Sequence, residues 1–96
     1  MTSTEKRSRH DRFVIMSKMI EKRFPSEKIK GRKFYKNNDG SYFILEEFPG
    51  ENALVIEYAD NKDEAAKNML EDGDRFYCNE LSVDQMFNSM LNEIAF

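Results

Sequence analysis

The sequence contains one cysteine and one histidine, the residue types most often used for nucleophilic catalysis and zinc binding. Cys78 and His10 stand far apart in the chain. A cysteine nucleophile needs a base close by, and a structural zinc ion needs four ligands, usually Cys and His. Cys78 follows Phe76 and Tyr77, a setting typical of a small buried residue. The sequence therefore predicts no catalytic residue and no zinc site.

Carboxylates are concentrated in the segment Glu71-Asp72-Gly73-Asp74. This segment lacks the further oxygen ligands and the closing Glu of an EF-hand calcium loop. In the simpler interpretation, Gly73 ends a helix and Asp74 solvates the turn. The four glycines are scattered beside turns and form no glycine-rich phosphate loop. We therefore expect no metal, no cofactor and no enzymatic activity.

The charged residues are divided unevenly along the chain. The formal net charge is −3, but residues 1–36 hold 12 Lys and Arg against 4 Asp and Glu. Residues 37–96 hold 3 Lys and Arg against 14 Asp and Glu. The basic segment (1–36) thus carries +8 and the acidic segment (37–96) carries −11. This division is the strongest functional signal in the sequence.

The acidic segment predicts a basic partner, because an acidic surface attracts basic proteins and speeds their association. Proteins that handle nucleic acid, such as nucleases and toxins, are natural targets because their own grooves are basic. An ordinary solubilising surface is the alternative. The candidate partner-binding residues are Glu46, Glu47, Glu57, Asp60, Asp63, Glu64, Glu71, Asp72, Asp74 and Glu80.

The basic segment offers a second interpretation, in which the protein is a small regulator that binds nucleic-acid phosphates. Asp11 and Glu21 interrupt the row of basic residues in this segment. The favoured interpretation is that these basic residues pair with the acidic segment of the same chain. A third interpretation is a homo-oligomer in which the basic segment of one copy docks on the acidic segment of another. The candidate basic residues are Arg7, Lys18, Lys22, Lys28, Lys30, Arg32 and Lys33.

The length of 96 residues allows one domain at most, and we expect residues 1–96 to form it. A lone cysteine cannot form an internal disulfide, which favours a reducing compartment. The apolar runs are far shorter than the roughly 20 residues needed to span a bilayer, and no apolar signal segment follows the basic N-terminus. We therefore expect a cytoplasmic protein that makes no membrane contact.

The elements that position these charges begin with a helix. Large apolar residues recur at spacings of three and four, at Phe13, Met16, Ile20 and Phe24. This periodicity predicts a first helix that ends at Pro25. The helix begins at either Thr2 or Ser8, because each is followed three residues later by an acid.

A hairpin is predicted by Asn37-Asn38-Asp39-Gly40, which lies between the β-prone segments 32–36 and 41–48. A second turn at Pro49-Gly50-Glu51-Asn52 leads into a strand over 53–58. These segments predict a three-stranded antiparallel meander.

Two further helices follow the predicted meander. Asn61 and Glu64 predict the start of one that ends at Gly73, and Ser82 and Gln85 predict the start of a last helix that runs to Ile94. Residues 74–81 form either an extended connection or a fourth, edge strand. The element order is then α-β-β-β-α-α, an α+β fold of two layers in which the first and last helices cover one sheet face.

This layout resembles that of small anti-CRISPR inhibitors of RNA-guided nucleases. The resemblance covers most of the chain and rests on element order, size and acidity, ending with Asp84-Gln85-Met86-Phe87-Asn88-Ser89-Met90. It implies an inhibitor without enzymatic activity, although the basic segment departs from a uniformly acidic mimic of nucleic acid. Immunity proteins and antitoxins are similar in size and charge, and residues 39–65 resemble a HicB-type antitoxin domain. We expect an inhibitor or immunity-type protein that binds a basic, nucleic-acid-handling protein.

Overall fold

A computed structural model describes the backbone of residues 2–94 and the side chains of residues 9–94. Within this part of the chain, three helices and five strands form one α+β unit with a short 3-10 turn at Pro49–Glu51. The helices are α1 (Thr2–Glu21), α2 (Lys62–Asp72) and α3 (Val83–Ile94). The strands are β1 (Ser26–Ile29), β2 (Arg32–Lys36), β3 (Tyr42–Phe48), β4 (Ala53–Ala59) and β5 (Asp74–Tyr77). The side chains of Thr2, Ser8 and Arg7, on which two predictions rest, lie outside the described side chains.

The five strands form one antiparallel sheet in the chain order β1-β2-β3-β4-β5. The predicted strands over 32–36, 41–48 and 53–58 correspond to the three central strands. The prediction of a three-stranded meander is nevertheless wrong, because a further strand is added at each edge. The element order is therefore α-β-β-β-β-α-β-α.

Strand β1 was missed because its turn and its burial both lack the usual signals. Residues Lys30 and Gly31 close the β1–β2 hairpin with φ angles of 52° and 80°, the left-handed values that a two-residue turn of type I′ requires. Gly31 adopts such an angle freely, but Lys-Gly is not the Asn-Gly or Asp-Gly pair that predicts this turn. Three of the four β1 residues are exposed, so the strand shows no apolar alternation.

Strand β5 resolves the segment 74–81 as an edge strand followed by a turn. Leu54 faces Phe76 and Ala53 faces Tyr77 across the β4–β5 ladder. Helix α2 lies between these two strands in the chain, so β5 returns to the sheet after the helix. Phe76 is buried, whereas Asp74 and Tyr77 are exposed.

The helices cover both faces of the sheet, so the prediction of two layers is also wrong. Helices α1 and α3 lie together on one face, as expected, where Met16, Ile20, Met86 and Met90 pack in one apolar cluster. Helix α2 lies on the opposite face, in a second cluster. The fold is a three-layer arrangement with the sheet in the middle.

The apolar runs in β3 and β4 explain why both faces need cover. Ile44 and Val55 belong to the α2 cluster, whereas Leu45 and Ile56 belong to the cluster under α1 and α3. Adjacent strand residues point to opposite faces, and burying each of these side chains contributes about 1.5–3 kcal/mol. Continuous apolar runs of this kind are typical of strands that are buried on both sides.

Side-chain caps begin the second and third helices, as the sequence predicts. The Glu64 amide donates to the Asn61 side-chain oxygen at 2.9 Å, and Asn61 Nδ2 donates to Glu64 Oε1 at 3.1 Å. At α3, the Ser82 amide donates to Gln85 Oε1 at 2.9 Å and the Gln85 amide to Ser82 Oγ at 3.2 Å. Both predicted helix starts are confirmed.

The end of α2 packs tightly on the sheet at Gly73, which is buried. A Cβ atom built on this glycine overlaps Val55 Cγ1 and lies 2.6 Å from the Met69 carbonyl oxygen. The glycine is therefore required by the close approach of the α2–β5 connection to β4. No left-handed backbone angle is involved here.

We predict that Gly73→Ala lowers the free energy of unfolding by about 1–3 kcal/mol, the usual cost of overpacking. Gly50→Ala is the matched control, because a Cβ atom there meets nothing within 4 Å, and it should change stability by at most about 0.5 kcal/mol. Urea denaturation followed by circular dichroism measures both. Equal stability of the two variants would contradict the tight packing.

Candidate binding surfaces

Two of the candidate acidic residues are bound by basic side chains of the same protein. Glu46 Oε2 accepts from Arg32 Nε at 2.8 Å. Glu47 accepts from Arg9 Nε at 2.6 Å and lies 3.0 Å from His10 Nδ1. Burial raises the pKa of Glu47, but the hydrogen bonds to His10 and Arg9 outweigh it, so the net pKa is lowered. These two carboxylates connect the basic segment to the sheet.

The outward side of α2 and its two ends carry most of the other candidate acids. We call this surface the acidic face, and it consists of Asp60, Asp63, Glu64, Glu71 and Asp72. All five residues are exposed. Among the described side chains, none of the five forms an ion pair with a basic group. Asp74 is also exposed, but it lies on the opposite side of the sheet, because it contacts Glu93 of α3.

One large apolar residue lies within the acidic face. Leu70 is 67% exposed, although Ala65 and Met69 on the other side of the same helix are buried. Lys67, at helical spacing from Asp63, Glu64 and Leu70, is the one exposed cation of α2. The exposed side of α2 thus presents one apolar side chain together with acids and the cation Lys67.

The last turn of α2 holds acids where the helix dipole disfavours them. A helix C-terminus favours cations, yet Glu71 and Asp72 occupy this end and no basic residue lies in the last turn. Arg75, from β5, compensates in part by donating to the carbonyl oxygens of Gly73, at 2.8 Å, and Leu70. The charges of Glu71 and Asp72 therefore add nothing to helix stability.

A second group of acids meets at the far edge of the sheet. Burial raises the pKa of Glu57, and the nearby charges of Asp72 and Asp74 add to this effect. Burial and contact with Asp74 raise the pKa of Glu93 to about 7, and Glu93 Oε1 is buried without a donor. The sequence prediction missed Glu93, although its position three residues after Met90 places it beside the buried stripe of α3. Glu80, another candidate, is exposed in the turn after β5.

The basic candidates gather around α1 and the β1–β2 hairpin. Lys18 lies on α1 and Lys22 in the turn that follows it, and the hairpin carries the other four described members: Lys28, Lys30, Arg32 and Lys33. Lys33 pairs with Glu21 and Arg32 pairs with Glu46. The expected pairing with the acidic segment is thus present for Arg32, whereas Lys33 pairs with an acid of the basic segment itself. Lys18, Lys22, Lys28 and Lys30 form no ion pair within the described part of the chain.

A cleft of about 420 Å³ lies between α1 and the β1–β2 hairpin. Lys18 lines it from the helix, and Lys28 and Lys33 line it from the hairpin. We call it the basic cleft. Burial, followed by the charge of Glu21, raises the pKa of Tyr35 in its wall to about 12, so this hydroxyl stays protonated at neutral pH.

The cysteine and the histidine are not brought together as a catalytic pair. Cys78 is 6% exposed, and burial raises the pKa of its thiol despite the nearby charges of Arg12 and Arg9. His10 lies against Glu47 instead. Among the described residues, no group of three or more His, Cys, Asp or Glu side chains is placed to hold a metal ion.

No helix in the described part of the chain has the length and apolar character needed to cross a membrane. No protein-family model matches the sequence, and neither curated proteins nor solved structures show a significant similarity to it.

We predict that Glu93 makes stability fall as the pH rises from about 4.5 to about 7. The folded-state pKa of Glu93 is raised to about 7. Between about pH 4.5 and pH 7 the folded protein therefore keeps a proton that the unfolded chain has already released. The free energy of unfolding falls as the pH rises through this range. Glu93→Gln stays neutral and should be more stable than the wild type at pH 8 by about 1–2 kcal/mol, with little difference at pH 4.

Urea denaturation across this pH range measures the effect of Glu93. Glu80→Gln removes an exposed carboxylate from a turn and serves as the control, with a pH profile parallel to that of the wild type. A Glu93→Gln profile that also parallels the wild type would show that Glu93 does not carry the pH dependence.

Proposed function

We propose that this protein is a small inhibitor or immunity-type protein, without enzymatic activity, whose acidic face binds a basic protein that handles nucleic acid. The supporting observation is the presence of five exposed carboxylates, unpaired among the described side chains, on the same helix and its ends as the exposed Leu70. A nuclease or a toxin has the complementary surface, because it must attract phosphates.

The charge distribution supports a partner rather than internal neutralisation of α2. Three arginines form ion pairs with acids of β3 and of the turn after it: Arg9 with Glu47, Arg32 with Glu46 and Arg75 with Glu51. Lys62, at the first turn of α2, pairs with Glu27 of β1 and not with an acid of its own helix. The negative electrostatic potential of the acidic face is therefore not neutralised by these ion pairs. A potential of this kind raises the association rate with a basic protein by about 10–10³-fold.

Leu70 supports a specific contact in addition to charge attraction. A single exposed apolar residue is common on protein surfaces, so exposure alone means little. Here the side chain lies in the last turn of α2, next to Glu71 of the acidic face, and its burial against a partner would contribute about 1.5–3 kcal/mol. A partner with an apolar hollow surrounded by Lys or Arg would match both features.

The positions of Glu71 and Asp72 support a binding role in a different way. These acids lie at the helix end where a negative charge costs about 0.3–1 kcal/mol. Replacing Glu71 by a cation should therefore leave the fold intact. A loss of partner binding in this variant would then reflect the lost charge and not unfolding.

The resemblance to anti-CRISPR inhibitors, immunity proteins and antitoxins stays part of the proposal. Size and acidity support it, whereas the order of elements has changed with the two added strands. The acidic face concentrates the charge on one helix and its ends, so the proposed contact is a helix face against a basic groove and does not require the whole surface to imitate nucleic acid.

We predict that wild-type bait captures a basic protein from its native cell extract at low salt, and that Leu70→Ala and Glu71→Lys each lose it. The exposed Leu70 supplies apolar contact, and the charge of Glu71 steers and holds the partner. The captured protein should be released by about 0.5 M salt and by added DNA or RNA. Affinity purification with quantitative mass spectrometry measures capture by each bait.

Asp11→Lys is the matched control bait, because Asp11 is also an exposed helical acid but lies on α1, in the opposite layer. It should capture the same protein as the wild type. The proposal would be overturned if all four baits captured the same proteins equally, or if nucleic acid failed to compete. A mass increase of the pure protein at low salt, measured by light scattering and abolished by Glu71→Lys, would instead identify a second copy as the partner.

A further inference from the structure

The basic cleft has the combination of groups that binds an organic anion. Its volume of about 420 Å³ lies within the range of small-molecule sites, roughly 300–1,000 Å³. One wall is the α1 face that carries Phe13, Ser17 and Lys18. The other wall is the β1–β2 hairpin, which contributes Lys28 and Lys33.

The charges around the cleft leave two lysines available. Lys33 pairs with Glu21, and Arg32 pairs with Glu46 at the cleft margin. Lys18 and Lys28 are exposed and form no ion pair within the described residues. They reach the cleft from opposite walls, so an anion between them would receive charge-assisted hydrogen bonds from both.

The inner part of the cleft is apolar. Phe13 and Val14 of α1 and Leu45 of β3 line it, and Leu45 is only 5% exposed. A flat ring fits against this surface, because aromatic side chains such as Phe13 stack on or edge against rings. A bare inorganic anion would leave this apolar surface unused.

Hydroxyl and carboxylate groups complete the polar part of the lining. Ser17 and Glu21 lie four residues apart on α1, and both face the cleft. A carboxylate accepts hydrogen bonds from sugar hydroxyl groups, and a serine hydroxyl can donate or accept. A ligand that presents a phosphate, a sugar and a ring would match the two available lysines, these two polar groups and the apolar inner surface.

We propose that the basic cleft binds a nucleotide, with its phosphate between Lys18 and Lys28 and its base against Phe13 and Leu45. The lysine side chains take the role that a glycine-rich loop has in other phosphate sites. The nucleotide is either a free one or the 5′-phosphorylated terminal residue of a single strand. This site lies on the α1 side of the sheet, and it does not depend on the function proposed for the acidic face.

Isothermal titration calorimetry and backbone amide chemical shifts, both at 50 mM salt, test the site with five probes. ATP is the main probe, adenosine lacks the phosphates, pyrophosphate lacks the ring, and a short single-stranded oligonucleotide is used with and without a 5′-phosphate. ATP should bind and shift amides of α1 and the hairpin. Adenosine and pyrophosphate should each bind at least about tenfold more weakly, because each loses one class of contact.

The matched pair of variants is Lys28→Glu and Lys36→Glu. Both lysines are exposed and lie on the hairpin strands, and both variants change the net charge equally. Lys36 lies on the α2 side of β2, since it is two residues from Phe34 of the α2 cluster. Lys28→Glu should weaken ATP binding by at least about tenfold, whereas Lys36→Glu should change it less than about twofold.

The proposal would be overturned if ATP failed to bind, if pyrophosphate bound as tightly as ATP, or if Lys36→Glu weakened binding as much as Lys28→Glu. Binding of the oligonucleotide that requires its 5′-phosphate and exceeds that of ATP would support the site and identify a strand end as the source. Stronger binding of ATP would identify the free nucleotide. Thermal unfolding of both variants verifies that each is folded.

Discussion

Burial of both faces of β3 and β4 is the constraint on which the rest of the structure depends. Ile44 and Val55 need apolar cover on one side, and Leu45 and Ile56 need it on the other. Helices α1 and α3 supply the cover on one face, and α2 supplies it on the other. The chain therefore leaves the sheet after β4, crosses one sheet face as α2 and rejoins the sheet as β5. Gly73 connects α2 to β5 and allows this connection to pass close to β4.

The same constraint separates the charges in space. The basic residues lie on α1 and the β1–β2 hairpin, and the acidic face lies on and around α2, so the sheet stands between the opposite charges. Ion pairs such as Arg32–Glu46 and Arg9–Glu47 form where the two regions meet, and a partly exposed pair contributes at most about 1 kcal/mol. A net charge of −3 therefore describes the molecule poorly, because cations predominate on α1 and the β1–β2 hairpin and acids predominate on α2.

The elements with strong local signals were predictable from the sequence. The Asp39-Gly40 turn, the cap at Asn61 and the Ser82–Gln85 box rest on residues close in the chain, and each forms as expected. Strand β1 was not predictable, because its Lys30-Gly31 turn is an uncommon pair and its side chains are exposed. The third layer was missed because α2 buries only Ala65 and Met69, although the unbroken apolar runs of β3 and β4 already indicated cover on both faces.

Among the candidate binding residues, composition could not distinguish Glu46 and Glu47, which contact Arg32, Arg9 and His10, from the acids of α2. That distinction depends on tertiary contacts.

In the proposed complex, the outward side of α2 is the surface that contacts the basic partner. Amide hydrogen exchange of the protein, alone and bound to the basic protein that it captures, locates this surface. We predict added protection over residues 60–74, with little change over the β1–β2 hairpin at 26–36. Protection confined to the hairpin or to α1, with 60–74 unchanged, would place the contact elsewhere.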